Sequence, residues 1–402
     1  MEKWNTYFLK DIATFSQGIQ VDINNQFIKK DKGLIRFIRI IDYSKNNEPP
    51  RYISCPKNSY IVNADDIVMI RYGSQTAGKV VRGISGAIAN NMFKITLNND
   101  IITNEYAYYY LLQTSVFNNL RGSQSSSTMP AITFELVGRQ KILLPNIHIQ
   151  KKITTILSSL DEKIEINRRI NENLEQQAQA LFKSWFVDFE PFKDGKFVDS
   201  ELGMIPEGWK VIETNKFMTI SKESINPSKN PNCFYAHYSI PAFDEKSMPI
   251  FQYGNEIKSN KQKVSDNMTL VSKLNPRIKR IWFIDKACEN AICSTEFIPY
   301  ISLNNSPYFL YCYLDSDVFY NSIMSSVNGA TGSHQRFQAN DTLKFLFPYN
   351  EEVIYKFNLV VSGILKHKSR LIIESQKLSQ LRNTLLPRLM SGELEIKDNS
   401  YD

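Results

Sequence analysis

Ile153, Leu157, Leu160, Ile164, Asn167, Asn171, Leu174, Ala178, Leu181 and Trp185 follow one another at alternating spacings of four and three residues. Val353, Phe357, Val360, Ile364, His367, Leu371, Glu374, Leu378, Leu381 and Leu385 do the same. So strict an alternation marks a coiled-coil seam, where a broader stripe would mark an ordinary amphipathic helix. The helix breakers Pro191 and Pro387 fall outside the seams. Each predicted helix has about 38 residues and spans roughly 57 Å at 1.5 Å per residue. Both seams turn polar near the middle. An antiparallel pairing within the chain would set Asn167 and Asn171 opposite the His367 region, and a parallel one in register would set Asn167 against Glu374. The antiparallel form is expected, because it lets polar seam residues meet and such residues fix register at a cost in stability. A partly exposed His367 is the plainer alternative.

Outside the helices the chain is written twice. Trp4 in EKWNTYFLKDIATFS has a partner in Trp209 of EGWKVIETNKFMTIS. YAYYYLLQTSVFNNLRGSQSSSTMPAITF is similarly followed, about 200 residues on, by YFLYCYLDSDVFYNSIMSSVNGATGSHQRF. Each half then reaches an apolar strand ending in proline, KILLP at 141–145 and KFLFP at 344–348, and after it a long helix. Repeated order of this kind predicts two related modules, mixed α/β and largely β, with the helices as a rod between them.

Composition narrows the class. A chain of 402 residues with 42% hydrophobic content and a mean hydropathy of −0.32 suits two or three soluble domains. No window approaches the ~20 apolar residues of a membrane span, and the N-terminus has no apolar signal core. Five cysteines without a CxxC and only four histidines argue against a zinc site or a disulfide framework and fit a reducing cytoplasm. The net charge of +7 leans toward a polyanionic partner. Its distribution is more telling. Residues 67–94 contain Arg71, Lys79, Arg82 and Lys94 and no acid. Residues 257–284 contain Lys258, Lys261, Lys263, Lys273, Arg277, Lys279 and Arg280 against Asp266 alone.

The stretch GSQTAGKV at 73–80 comes close to a nucleotide-binding P-loop, but Val80 stands where the magnesium-binding Ser or Thr belongs. The next residues, VVRGISGAIAN, are β-branched and Gly-containing, so the context reads as strand–turn–strand.

KKITTILSSLDEKIEINRRINENLEQQAQALFKSWFVDFEPF, followed by GMIPEGW, resembles the central region of type I restriction–modification specificity subunits, and LSQLRNTLLPRLMSGEL resembles their C-terminal region. The resemblance runs along the whole chain, and SWFVDFEPF with PEGW is its most specific part. It implies an α+β fold of two tandem target-recognition domains separated by two long antiparallel coiled-coil helices in a pseudo-twofold repeat. On that pattern recognition domain one is 1–149, the central helix 150–190, a linker 191–205, recognition domain two 206–348, the second helix 349–395 and a tail 396–402. Each domain would read one half of a bipartite, asymmetric DNA target, and the helices would set the spacer and dock two modification subunits. S-adenosylmethionine, ATP and magnesium are then expected on modification and restriction partners, with no cofactor or metal on this chain.

The residues agree through what they lack. Asn305-Ser306-Pro307-Tyr308 has serine where the base-holding loop of an adenine methyltransferase has proline, and no FxGxG precedes it. The DEK triplets at 161–163 and 244–246 have no upstream Pro-Asp of a nuclease. No constellation for catalysis emerges. The DNA contacts are expected instead in loops with cations and amides but few acids. In the first half these are Arg71, Tyr72, Ser74, Gln75, Lys79 and Arg82, then Arg121, Ser123, Gln124 and Ser126. In the second half they are Lys273, Arg277, Lys279 and Arg280, then Thr331, Ser333, His334, Gln335 and Arg336. A solvated hairpin and a flexible Ser-rich linker are the bland alternatives. Tyr106, Tyr108, Tyr109 and Tyr110 read as helix packing rather than base stacking. A coiled-coil scaffold presenting two protein-interaction domains is the alternative function.

Overall fold

The run Ile67-Val68-Met69-Ile70 is buried along its whole length, and its side chains divide between two cores. Ile67 and Met69 join Phe93, Tyr106 and Tyr109, whereas Val68 and Ile70 join Phe37, Ile38 and Ile88. Period-two alternation on a strand covered on both faces produces that division. The computed structural model describes residues 4–43, 48–54, 56–122, 131–326 and 335–396. They fall into two units, Met1–Ile164 with Gln376–Asp402, and Glu165–Ser375.

The two units repeat one topology. In the first, an antiparallel sheet runs Ala13–Gln17, Met92–Leu97, Ile67–Ile70, Val80–Val81. In the second, Met218–Ile220, Phe297–Ser302, Met268–Ser272 and Ile281–Ile284 take the same places. A second sheet in each contains one parallel pair, Leu34–Ile38 with Gly86–Ile88, and Phe234–Tyr238 with Ala291–Cys293. The strand before each long helix pairs with the strand that opens its module: Lys141–Leu144 with Asn5–Phe8, and Leu346–Tyr349 with Lys210–Glu213. The two-module α+β reading of the sequence holds.

The long helices are Ile147–Phe186 and Glu351–Met390, of 40 residues each. Asn146 and Asn350 start them, accepting from the N–H of Ile149 and Val353 at 2.8 and 3.2 Å. Within the first unit Ile149, Ile153 and Leu157 share a core with Leu386, Leu389 and Met390, and Arg382 pairs with Asp161. Within the second, Phe182 and Phe186 pack on Phe357, Lys368 pairs with Glu175, and Asn167 meets Glu374. Residue numbers rise along one helix as they fall along the other, so the pairing is antiparallel.

Two details of the helices differ from expectation. The register is shifted: Asn167 donates to Glu374 Oε2 at 2.9 Å and Ser375 Oγ at 3.2 Å, and His367 is exposed. The phase of the second seam is also off by one residue near its start. Ile354, Phe357, Val361 and Leu365 are buried while Val360 is half exposed. There the helix packs on the aromatic core of its module, which selects the buried face in place of the partner helix. Pro387 lies beyond the seam but still inside the helix, in its last turns, where a missing N–H costs a single intrahelical bond.

Candidate nucleic-acid interface

Strand Ile67–Ile70 turns back as Val80–Val81, with Val68 opposite Val81 and Met69 opposite Val80. This is the expected hairpin, and its backbone shows why it cradles no phosphate. The N–H groups of Ala77, Gly78 and Lys79 are spent on the carbonyls of Gly73, Ile70 and Thr76 at 3.1, 2.8 and 3.0 Å. A P-loop needs such groups free. Only glycine fits at position 73: its φ is +122°, and a Cβ there would lie 2.2 Å from Thr76 Oγ1.

The cations around this hairpin go to different places. Arg71 donates through Nη1 to Gln17 Oε1 at 2.8 Å and lies over the Tyr72 and Phe134 rings at 5.1 and 5.9 Å. Tyr72 bridges to Ala131, and Ser74 and Gln75 are exposed at the tip. Lys79 is exposed and has no side-chain partner among the described residues. Arg82 turns away, stacking 3.9 Å from the Tyr108 ring centroid. Arg121 comes from the helix Thr114–Gly122 to donate to the Ser74 carbonyl, so it braces the hairpin tip. Lys94, inside the acid-free window, finds Asp66 just outside it at 2.7 Å. Ser123, Gln124 and Ser126 lie outside the described residues.

Folding also brings in polar side chains that no motif marked. Gln17 Nε2 donates to the Asn90 carbonyl at 3.0 Å, and Asn90 Nδ2 donates to Gln20 Oε1 at 3.1 Å. Arg71, Gln17, Asn90 and Gln20 thus form one chain of hydrogen bonds at one end of the four-stranded sheet. Isolated amides carry no periodic signature. Only the position of Gln17 and Asn90 at strand ends beside the hairpin could have marked them.

The second unit builds its counterpart from different residues. Lys273 N–H donates to the Glu296 carbonyl at 2.9 Å, as Arg71 N–H does to Asn91 at 2.8 Å. Leu274 bridges to Arg336, as Tyr72 does to Ala131. Arg336 grips Glu296 with Nε and Nη2 at 3.0 and 3.1 Å, and this pairing holds the carboxyl below its ordinary range. The carbonyl of Gln335 accepts from Asn275 N–H at 2.8 Å. Arg277 is exposed and without a side-chain partner among the described residues. Lys279 is engaged with Asp315 at 2.9 Å, and burial raises that carboxyl above the usual range against the pull of Lys279. Arg280 is engaged more deeply, on both oxygens of Asp244 at 2.7 and 2.8 Å. Thr331, Ser333 and His334 lie outside the described residues.

The tyrosines pack as expected. Tyr106 and Tyr110 donate to the carbonyls of Leu143 and Lys141 at 3.1 and 2.7 Å, and Tyr109 donates to Asp161 on the long helix at 2.8 Å. Asn305-Ser306-Pro307-Tyr308 is the start of helix Pro307–Leu314. Asn358 Oδ1 accepts from the N–H of Tyr308 and Phe309 at 3.0 and 3.2 Å, and the Tyr308 hydroxyl donates to Asp285 at 2.8 Å. No cluster of three or more His, Cys, Asp or Glu placed to hold a metal occurs among the described residues. Nor is any described helix long and apolar enough to cross a membrane.

Two modules of one topology, each tied to paired long helices and carrying a polar corner, define a tandem recognition protein. The comparisons give this class its family. Residues 1–176 match the family model described as the type I restriction modification DNA specificity domain. The type I restriction enzyme MjaIX specificity subunit of Methanocaldococcus jannaschii is 28% identical over 330 residues, 77% of this chain and 73% of that one. The HindI specificity subunit of Haemophilus influenzae is 25% identical, over 76% of this chain and 81% of that one. In fold, the crystal structure of the type I restriction–modification S subunit from M. genitalium matches with a TM-score of 0.56 at 15% identity, covering 97% of this chain and 96% of that one. Over most of its length the chain is thus similar to specificity subunits of type I restriction–modification systems.

Proposed function

We propose that this chain supplies DNA sequence recognition to a type I restriction–modification complex, with domain one at 1–149 and domain two at 206–348 each reading one half of a bipartite, asymmetric target. The observation that carries this reading is the repeated sheet-end corner: one topology, two different sets of polar side chains. Equal corners would suit a palindrome, and unlike corners suit two unlike half-sites. Lys79 and Arg277 are the cations best placed to meet phosphates without giving up a partner. Arg82, Lys279 and Arg280 would first have to release Tyr108, Asp315 and Asp244.

The long helices set the separation of the half-sites and dock two modification subunits. Tyr355, Leu359 and Val360 leave apolar surface exposed on the second of them, which supports that role. S-adenosylmethionine, ATP and magnesium belong to the modification and restriction partners, which carry the chemistry. A coiled-coil scaffold for protein ligands is less favoured, because the relatives are specificity subunits and such a scaffold would leave both corners without a use. The test is to express the chain with its modification partner and map methylated adenines across a genome. A motif with two unlike fixed halves is expected. Absence of any motif, together with no retention of duplex DNA in low salt, would overturn the reading.

A further inference from the structure

In each unit the four-stranded sheet brings strand ends together at one edge, and the side chains there differ between the units. Gln17 pairs opposite Phe93, and Ile70 pairs opposite Met92, so the two strand ends lie side by side. Gly18 lets the chain pass against residues 88–90, since a Cβ at 18 would fall 2.2 Å from the Ala89 carbonyl oxygen. That close approach sets Gln17 and Gln20 beside Asn90, and both glutamines are exposed. The Arg71 guanidinium is half-buried and occupied by Gln17, so it holds the amide in place instead of projecting. An amide offers a donor and an acceptor in one plane, which matches adenine N6 and N7 in the major groove.

In the second unit Glu296 stands at the place of Asn91, held on both oxygens by Arg336 and 28% exposed at its side chain. Each carboxylate oxygen has two lone pairs, so the pairing leaves capacity to accept a further hydrogen bond. Among the base edges of the major groove, a pure acceptor fits the cytosine N4 amino group.

We propose that this corner is the base-specificity element of each unit: Gln17 and Gln20 select an A·T pair in one half-site, and Glu296 selects a C·G pair in the other. Arg71 and Arg336 act as positioning residues that fix the reading groups. The inference rests on the DNA-reading function proposed above and adds the residues and the base classes.

The test uses the full chain assembled with its modification partner. The motif of the wild-type complex is mapped first. Binding is then measured on duplexes substituted at each motif position for Gln17→Ala, Gln20→Ala and Glu296→Gln. The glutamine variants are expected to relax an A·T position in one half by about tenfold in discrimination, leaving the other half intact. Glu296→Gln is expected to relax a C·G position in the opposite half. An unchanged motif in all three variants would overturn the proposal. So would a uniform loss over every sequence with a smaller salt slope, which marks phosphate contacts. Because Gln17 and Gln20 are exposed, their truncation leaves the core whole, and a thermal melt checks this. Failure of the wild-type complex to show any bipartite motif would sink the functional reading itself, whereas a bipartite motif insensitive to these variants sinks only this proposal.

Discussion

Arg280 turns its guanidinium into the fold, with Nε and Nη2 on the two oxygens of Asp244 and a tenth of its side chain exposed. Arg277, three residues away, is exposed and faces no partner among the described residues. The two should separate cleanly in experiment. Arg280→Ala breaks charged hydrogen bonds costing roughly 1.5–3 kcal/mol, which lowers the melting temperature by about 3–10 °C for a unit of this size. Arg277→Ala should leave the melting curve alone and reduce the slope of log affinity against log salt by about 0.9. Thermal denaturation with anisotropy titrations at several salt concentrations checks both. A stable Arg280→Ala variant with a flattened salt slope would contradict the structural role. The sequence could not separate these arginines, because the acid that decides between them, Asp244, lies 36 residues away along the chain. Counting charges in a window finds cations but is blind to partners delivered by the fold. Lys94 with Asp66 and Arg336 with Glu296 are further cases, across 28 and 40 residues.

The long helices were the most legible elements, because a repeated apolar spacing survives any tertiary context that keeps the helix. Their polar middle was legible in kind but not in register. Asn167 is fully buried against Glu374, and nothing in the spacing of either seam distinguishes that partner from the His367 region seven residues earlier. The same stretch holds a group with a measurable pH response. Lys368 sits between Glu175 and the Tyr311 hydroxyl with 24% of its side chain exposed, and burial lowers its ammonium to about 8. An unfolded lysine titrates near 10.4. Between those two values the unfolded chain holds the extra proton, so this group favours the folded state increasingly as pH rises. Below about pH 8 its cost is constant. The melting temperature of the wild type, measured relative to Lys368→Met, should therefore climb from about pH 8 to about 10.4. A difference that stays flat or falls over that range would rule out burial as the dominant influence on Lys368.

At the scale of the whole molecule the order of events in the two halves was readable from weakly similar segments, but the exchange of helices was not. The end of the second long helix packs into the first module, where Gly392, at φ +75°, lies against Trp4. Heptads have no direction of their own, so only the fold reveals which module each helical end joins. Matched spacing on the two helices gives that exchange a mechanical consequence. Asp161 to Glu175 on one helix and Lys368 to Arg382 on the other both span two heptads, so both ion pairs form in one register. Adding seven residues to each helix, after Ile164 and after Ser375, preserves both pairs and lengthens the paired helices by about 10.5 Å. That is about three base pairs at ~3.4 Å per step. The spacer of the methylated motif should lengthen by about that amount while both halves keep their sequences. The same seven residues added to one helix alone should instead shift one ion pair out of register, lower the melting temperature and abolish bipartite recognition. Methylated-adenine maps of the two insertions decide the matter: an unchanged spacer in the matched insertion, with a folded protein, would mean that the helices do not set the distance between the halves.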